Sequence, residues 1–313
     1  MKQIIFNIST HIAKILLLSV ALIFVSPSHA EKTIKDIEKE CNSDNLISCL
    51  DLGAKYLKGD GVVQDGLKTV LYNKKACDGG LILGCSLLGL MYKNGLGVNQ
   101  DYVKATEYYQ KSCDGESPTG CYSVGLSYSN GEGVIKNAVK AYDFYSKSCK
   151  IGHYEGCHSV AYSLMIGDGV TQDKLRAVEF FHKACDGGFN LSCFNLGVVY
   201  LSGDGAKQDK FKAVEYLKKS CDGGSNLGCF NLGNSYFNGE GVRQDKFKAL
   251  ELFKKVCDAN EPQGCVNLGV LYDNGDGIRL DKSKALELYG KACDLKEELG
   301  CKYYAYLKNQ GIR

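Results

Sequence analysis

Residues 228–263 read GCFNLGNSYFNGEGVRQDKFKALELFKKVCDANEPQ, and the apolar positions in this stretch fall into two helical sets. Cys229, Leu232, Gly233 and Tyr236 recur at steps of three and four, which predicts an amphipathic helix, A. Gly239 and Gly241 end it by supplying the left-handed backbone that a helix exit needs. Asp245 then stands as the N-cap of a second helix, B, with Ala249, Leu250, Leu252 and Phe253 as its apolar set and an end near Cys257.

The same pattern recurs every 36 residues without an insertion, with frames starting at Ser48, Gly84, Gly120, Gly156, Ser192, Gly228 and Gly264. A fixed period of this length is the mark of a solenoid. The prediction is an all-α, α/α solenoid of seven 36-residue helix-pair repeats over 48–299, with a capping half-repeat at 31–47 and a capping helix at 300–313. Six of the seven units carry Tyr at the Tyr236 position, Leu164 being the exception, and the stripe reads as core. Small residues hold the Gly233 position throughout. A glycine inside a helix costs about 1 kcal/mol against alanine, so a close helix approach is expected there, with Ala249 and its equivalents facing it.

The 16 cysteines obey the same period: Cys41/Cys49, Cys77/Cys85, Cys113/Cys121, Cys149/Cys157, Cys185/Cys193, Cys221/Cys229, Cys257/Cys265 and Cys293/Cys301. Each pair brackets a nonapeptide loop that joins the end of one helix B to the start of the next helix A. Antiparallel packing brings those ends within disulfide reach, so the solenoid is expected to be disulfide-stapled. The chain-entropy model gives about 2–3 kcal/mol for a loop this short. No Cys-x-x-Cys occurs, and paired thiols in an oxidising compartment bridge before they bind zinc, so no metal site and no cofactor is expected.

Residues 1–30 supply that compartment. Lys2 and Lys14 precede an apolar run from Ile15 to Val25, and Ser28-His29-Ala30 places small residues before a cut. This reads as a secretory signal peptide, too short in its apolar core to span a bilayer. No other long apolar run follows, so a secreted protein, periplasmic or extracellular and not held in a membrane, is expected. Without Lys2 and Lys14, acidic and basic residues balance at 36 each, which removes the electrostatic case for nucleic acid or an anionic membrane as partner.

The core from Leu232 to Val242, L-G-x-x-Y-x-x-G-x-G-V, followed by D-x-x-K-A from Asp245 to Ala249, resembles the Sel-one-like repeat, a relative of the tetratricopeptide repeat. With a cysteine pair at every junction, the chain is similar to the Helicobacter cysteine-rich proteins over residues 32–313. The resemblance implies a right-handed superhelix whose concave surface is lined largely by A helices. It also implies a designation as penicillin-binding proteins or β-lactamases, and as secreted factors met by the host.

The residues give that enzyme reading no catalytic set. No serine has a lysine three positions later, as a serine β-lactamase requires. Ser43-Asp44-Asn45 matches a second element of such enzymes but reads as a polar turn. After residue 30 the only histidines are His153, His158 and His182, spaced too irregularly for a zinc cluster.

Binding is the better expectation. Asn231, Ser235 and Asn238 lie at i, i+4 and i+7, on the face of helix A roughly opposite Leu232, Gly233 and Tyr236. Asn195 and Asn267 repeat the Asn231 position. Asparagine offers a donor and an acceptor, as an extended backbone does. The expected function is a secreted, monomeric scaffold that binds an extended peptide or protein segment, with a host protein or a β-lactam as the partner the resemblance suggests. Non-reducing peptide mapping of the oxidised protein should return only Cys(i)–Cys(i+8) bridges and no free thiol; a long-range pair would overturn the stapled junction.

Overall fold

The computed structural model describes residues 32–313; the expected signal peptide lies outside the described residues. Every regular element among them is an α-helix. They form two units, one ending at Ile151 and one running Gly152–Arg313. The first holds α1 (Ile34–Asn42), α2 (Leu46–Lys58), α3 (Gly66–Asp78), α4 (Ile82–Asn94), α5 (Tyr102–Asp114), α6 (Pro118–Asn130) and α7 (Ala138–Lys150). The second holds α8 (Tyr154–Ile166), α9 (Lys174–Asp186), α10 (Asn190–Ser202), α11 (Lys210–Asp222), α12 (Asn226–Asn238), α13 (Lys246–Asp258), α14 (Pro262–Asn274), α15 (Lys282–Asp294) and α16 (Glu298–Asn309). Even-numbered helices are the A helices and odd-numbered ones the B helices. Within each unit, every helix packs on the next, giving a stack of helix hairpins.

Local chemistry sets the helix ends. Asp245 caps α13 by accepting the Lys248 N–H at 3.0 Å. Gly239 leaves α12 at φ 73°, as a left-handed C-cap requires. The second glycine of that turn does more than bend the chain. At φ 69°, a Cβ on Gly241 would sit 2.0 Å from the Lys210 carbonyl oxygen at the start of the preceding B helix.

The cysteines pair as expected, and the non-helical junction between them is shorter than the expected nonapeptide loop. The A helices start two residues before the expected frames, at Leu46, Ile82 and so on. Cys49, Cys85, Cys121, Cys193, Cys265 and Cys301 are therefore not loop residues; each lies inside the first turns of an A helix, as Cys157 and Cys229 do. Their partners Cys41, Cys77, Cys113, Cys185, Cys257 and Cys293 lie in the last turn of the preceding B helix. The reason is the cap. At the junction of α11 and α12 only residues 223–225 are non-helical, because Gly224 turns the chain at φ 89° and Ser225 at once accepts the Gly228 N–H at 3.2 Å.

The bridges are Cys41–Cys49, Cys77–Cys85, Cys113–Cys121, Cys185–Cys193, Cys221–Cys229, Cys257–Cys265 and Cys293–Cys301, with Cα–Cα separations between 4.4 Å and 4.8 Å. Cys149 and Cys157 are disulfide-bonded as well, and no cysteine is free. The Sγ atoms of Cys49 and Cys121 lie 3.5 Å from the carbonyl oxygen of their partner cysteine, that of Cys193 3.6 Å, and those of Cys85 and Cys265 3.7 Å. A bridged sulfur has no S–H to donate, so these are packing contacts rather than hydrogen bonds. Most of the bridges are buried; Cys293 and Cys301, at the end of the stack, are half-buried.

The residue before the second cysteine touches the other helix's backbone. A Cβ on Gly228 would lie 2.8 Å from the Cys221 nitrogen, and one on Gly264 would lie 2.7 Å from the Cys257 nitrogen. A lysine from the following B helix closes the same corner: Lys75 Nζ donates to the Cys41 carbonyl at 2.7 Å and Lys291 Nζ to that of Cys257 at 2.8 Å. Cations suit the negative end of a helix dipole.

The glycine inside helix A does face a close neighbour: the carbonyls of Ala141 and Ala213 lie 3.3 Å and 3.4 Å from a Cβ on Gly125 and Gly197, but a larger side chain comes nearer. A Cβ on Gly233 would come within 2.7 Å of the Phe253 ring, one on Gly125 within 2.6 Å of Tyr145, and one on Gly197 within 2.7 Å of Leu217. These residues stand one helical turn after Ala249, Ala141 and Ala213, which are themselves buried. The glycine makes room for a large side chain of helix B.

The tyrosine stripe is only partly core. Tyr56 is buried, whereas Tyr92, Tyr128, Tyr200 and Tyr236 are half-buried. Tyr92 stacks on Tyr108 with centroids 5.6 Å apart, and Lys104 Nζ lies 5.3 Å from its centroid. Tyr56, Tyr128 and Tyr200 repeat the stack and the lysine cover.

One repeat sets an amide where the others set a ring or, at Leu217, a leucine. Asn73 takes the place of Phe253 and is buried, with Nδ2 3.4 Å from Met91 Sδ and Oδ1 without a hydrogen-bond partner. An unmet buried acceptor costs about 1–3 kcal/mol. Leu217 shows that leucine fits against the matching glycine. Asn73→Leu should therefore raise stability by about 1–2 kcal/mol in urea unfolding, and a loss of stability would show that Oδ1 has a partner in solution.

Candidate functional site

In the second unit, α10 touches α12 and α14 touches α16, so A helices approach one another across repeats. Within this unit the A-helix side is accordingly the inner side. Equivalent residues of successive A helices line up there in rows.

One row contains Asn195, Asn231 and Asn267, all half-buried. Among the described residues Asn195 has no hydrogen-bond partner, so its amide is open at both ends. Asn231 Nδ2 donates to the Leu227 carbonyl of its own helix at 2.9 Å, and its Oδ1 has no partner among the described residues. Asn267 Nδ2 donates to Asn234 Oδ1 at 3.0 Å, a bond between neighbouring A helices. Asn238 is exposed at the end of α12.

Ser235 departs from the expected open face. It is only 3% exposed, and its hydroxyl donates to the Asn231 carbonyl at 3.1 Å. The equivalent Ser127 shows why, because Thr106 Oγ1 on the preceding B helix donates to its hydroxyl at 2.9 Å. Helix A is covered by two B helices, its own and the one before, and this position meets the second. The polar row on the inner side is thus carried by the asparagines, with Ser159 one period before Asn195.

Two further residues extend these rows. Tyr303 on α16 falls one period beyond Asn267, and Tyr306 one period beyond Val270. Counting 36 residues onward finds both. They escape notice when α16 is taken only as a cap.

The histidines have structural work. His153 Nδ1 accepts the Gly156 N–H at 3.3 Å as the N-cap of α8. His182 bridges two phenols, with Nε2 3.1 Å from Tyr200 Oη and Nδ1 3.2 Å from Tyr216 Oη. His158 Nδ1 lies 2.8 Å from Ser192 Oγ, packed against the Phe181 and Phe189 rings. That serine–histidine pair has the reach of a nucleophile and its base, but Ser192 is 0% exposed and no substrate meets it. Its hydroxyl instead serves a position that is glycine in most repeats. The Ser43-Asp44-Asn45 element is a turn in which Asn45 caps α2 by accepting the Ser48 N–H at 3.2 Å. No group of three or more metal-ligating side chains is found among the described residues.

With this geometry in hand, the family is decided by the Sel1 repeat model, which matches residues 46–81, 82–117, 118–153, 155–189, 190–225, 227–261 and 262–297. The chain belongs to the Sel1 repeat family. Its matched segments start at 46, 82 and 118, where α2, α4 and α6 start. Among solved structures it is similar to c5321, a protective antigen present in uropathogenic Escherichia coli strains, at 28% identity and a TM-score of 0.84 over 90% of this chain. The chain spans 60% of that protein's length. A Sel1 repeat protein from Oxalobacter formigenes matches at 25% identity and a TM-score of 0.78, covering 88% of this chain and 80% of that one. Helicobacter pylori cysteine rich protein B is 32% identical over 42% of this chain and 94% of its own, with a TM-score of 0.34. No curated protein matches the chain. No helix among the described Sel1 residues is long and apolar enough to cross a membrane, and a fully bridged cysteine set suits an oxidising environment.

Burial pushes the His158 imidazole from its ordinary 6.5 down to about 4. Its folded pKa lies below its unfolded one, so its stabilising effect is full above pH 6.5 and is lost as pH falls through 4. The loss amounts to about 3 kcal/mol. Phe194 and Phe230 occupy the equivalent position, so His158→Phe fits the site. Urea unfolding between pH 7 and pH 4 should show a shallower decline in the variant than in the parent; equal slopes would place this titration elsewhere.

Proposed function

We propose that this Sel1 repeat chain is a secreted, disulfide-rich scaffold that binds an extended peptide or protein segment along the inner face of its A helices. The observation that carries the reading is the asparagine row, in which Asn195 is open at both ends and Asn231 Oδ1 has no partner among the described residues. Backbone-like donors and acceptors repeated along a line are suited to main-chain recognition, which leaves sequence choice to neighbouring pockets. Repeat packing keeps the row in register, because equivalent positions of successive A helices hold the same place in each repeat.

Secretion is supported by the leader read in residues 1–30 and by cysteines that are all bridged. A protein partner fits the half-buried amides better than a small ring-shaped antibiotic, because the row offers several hydrogen-bonding stations rather than one enclosed pocket.

A random peptide library displayed on phage, selected on the oxidised protein, supplies ligands whose affinity fluorescence anisotropy can measure. The triple variant Asn195→Ala, Asn231→Ala, Asn267→Ala should bind the selected peptides at least tenfold more weakly, since each backbone contact is worth about 1 kcal/mol. Its thermal midpoint should move by only a few degrees, most of it from the lost Asn267–Asn234 bond. Parental affinity in a normally folded triple variant would place binding on another face.

A further inference from the structure

The asparagine row does not run out at Asn267. Between α14 and α16 it opens into a cavity of about 410 Å³ lined by Val270, Asp273, Asn274, Tyr289, Tyr303 and Tyr306. That volume lies at the lower end of the roughly 300–1,000 Å³ of small-ligand pockets. Tyr289 is almost fully buried and forms the floor, with the Tyr303 ring tilted against it at a centroid separation of 5.0 Å. Tyr306 is 59% exposed and stands at the rim.

The carboxylate is what distinguishes this pocket. Other repeats carry Leu57, Lys93, Ser129, Met165, Leu201 or Phe237 at the Asp273 position, so the negative charge is peculiar to this end of the row. No lysine or arginine forms an ion pair with Asp273 among the described residues, and none lines the cavity. Its charge is felt inside the pocket: after burial, Asp273 is the next cause raising the Tyr289 phenol above its ordinary value.

We infer that this pocket receives the guanidinium of an arginine side chain on the bound peptide, an assignment that rests on the reading of the A-helix face as a peptide groove. An aromatic wall with one carboxylate matches a planar cation, which stacks on rings and forks its N–H donors onto an acid. Lysine would gain the charge contact without the stacking.

The test uses the oxidised chain from residue 31 onward and a minimal probe, Nα-acetyl-arginine-N-methylamide, followed by NMR at the Tyr303 and Tyr306 rings. Saturable shifts are expected. The uncharged citrulline analogue should bind about tenfold more weakly, and Asp273→Asn should weaken the arginine probe about tenfold while leaving the citrulline analogue unchanged. Glycine-N-methylamide, which carries only an N-terminal ammonium, should not compete. Tyr306→Ala, at an exposed position, supplies a second variant in which arginine binding should fall whatever the fate of Asp273→Asn. Equal binding of arginine and citrulline probes, competition by the ammonium, or no saturable shift would each overturn the assignment. Arginine binding with no effect of the triple asparagine variant on peptides would sink the groove and leave the pocket. Selected peptides that need the asparagines but not arginine would do the reverse.

Discussion

Everything in this chain depends on how closely the last turn of one B helix approaches the first turn of the next A helix. With Cα atoms of Cys221 and Cys229 4.4 Å apart, there is no room for a side chain at the residue between the bridge and the backbone. Gly228 answers that constraint, and Ser220 opposite it is small for the same reason. Serine survives at this position where its hydroxyl finds a partner, as Ser48 does in Glu40 at 2.7 Å and Ser192 in His158. The disulfide fixes the approach covalently, and Lys255 adds a charge-assisted bond to the Cys221 carbonyl at 3.3 Å. Three different kinds of interaction therefore act on one short distance, and that distance sets the step from repeat to repeat.

Much of this was legible in the sequence, because the constraint repeats. The 36-residue period, the helix pairs, the Asp245-type caps and the cysteine partners are each dictated by local chemistry that the chain states seven or eight times. The helical setting of Cys49, Cys85 and their equivalents was less legible, since a Gly-Gly pair in a nonapeptide suggests a longer loop than the three residues the caps leave. Ser235 was not legible from its own repeat. An amphipathic helix seen alone shows one buried arc, whereas an A helix buries two, one against each flanking B helix. The signal lay in the column: apart from Lys55 it holds Met91, Val199 and Leu271 beside the three serines, and an open solvent-facing column would not carry so many apolar side chains. Similarly, the partner of Gly233 could be guessed as small from propensity alone. Only the packing shows that a missing Cβ on one helix accommodates an aromatic ring on the other.

A repeat protein supplies its own reference for judging such departures. Where a residue breaks the column and its new chemistry is met locally, it is structural: His158 with Ser192, His153 as an N-cap, and His182 between two tyrosines all belong here. These single-copy histidines are the residues an enzyme reading would reach for first. Each is committed within the fold, and the one serine bonded to an imidazole among the described residues is sealed from solvent.

The departures that matter for binding are those whose new chemistry is not met by the chain itself. Asn73 fails that criterion in a useful way, since its unmet oxygen is buried in the core and no ligand reaches it. Asp273 and Tyr306 pass it, and Asn195, within the repeated row, leaves its amide unmet as well. Each lies on the inner side of the second unit, each has polar or aromatic surface left over, and they follow one direction along the stack from α10 to α16. The rows also change character along that direction, from amides that suit any backbone to rings and an acid that suit one kind of side chain. In the proposed groove the tasks are divided: the repeated residues hold the peptide, and the residues that break the repeat choose it.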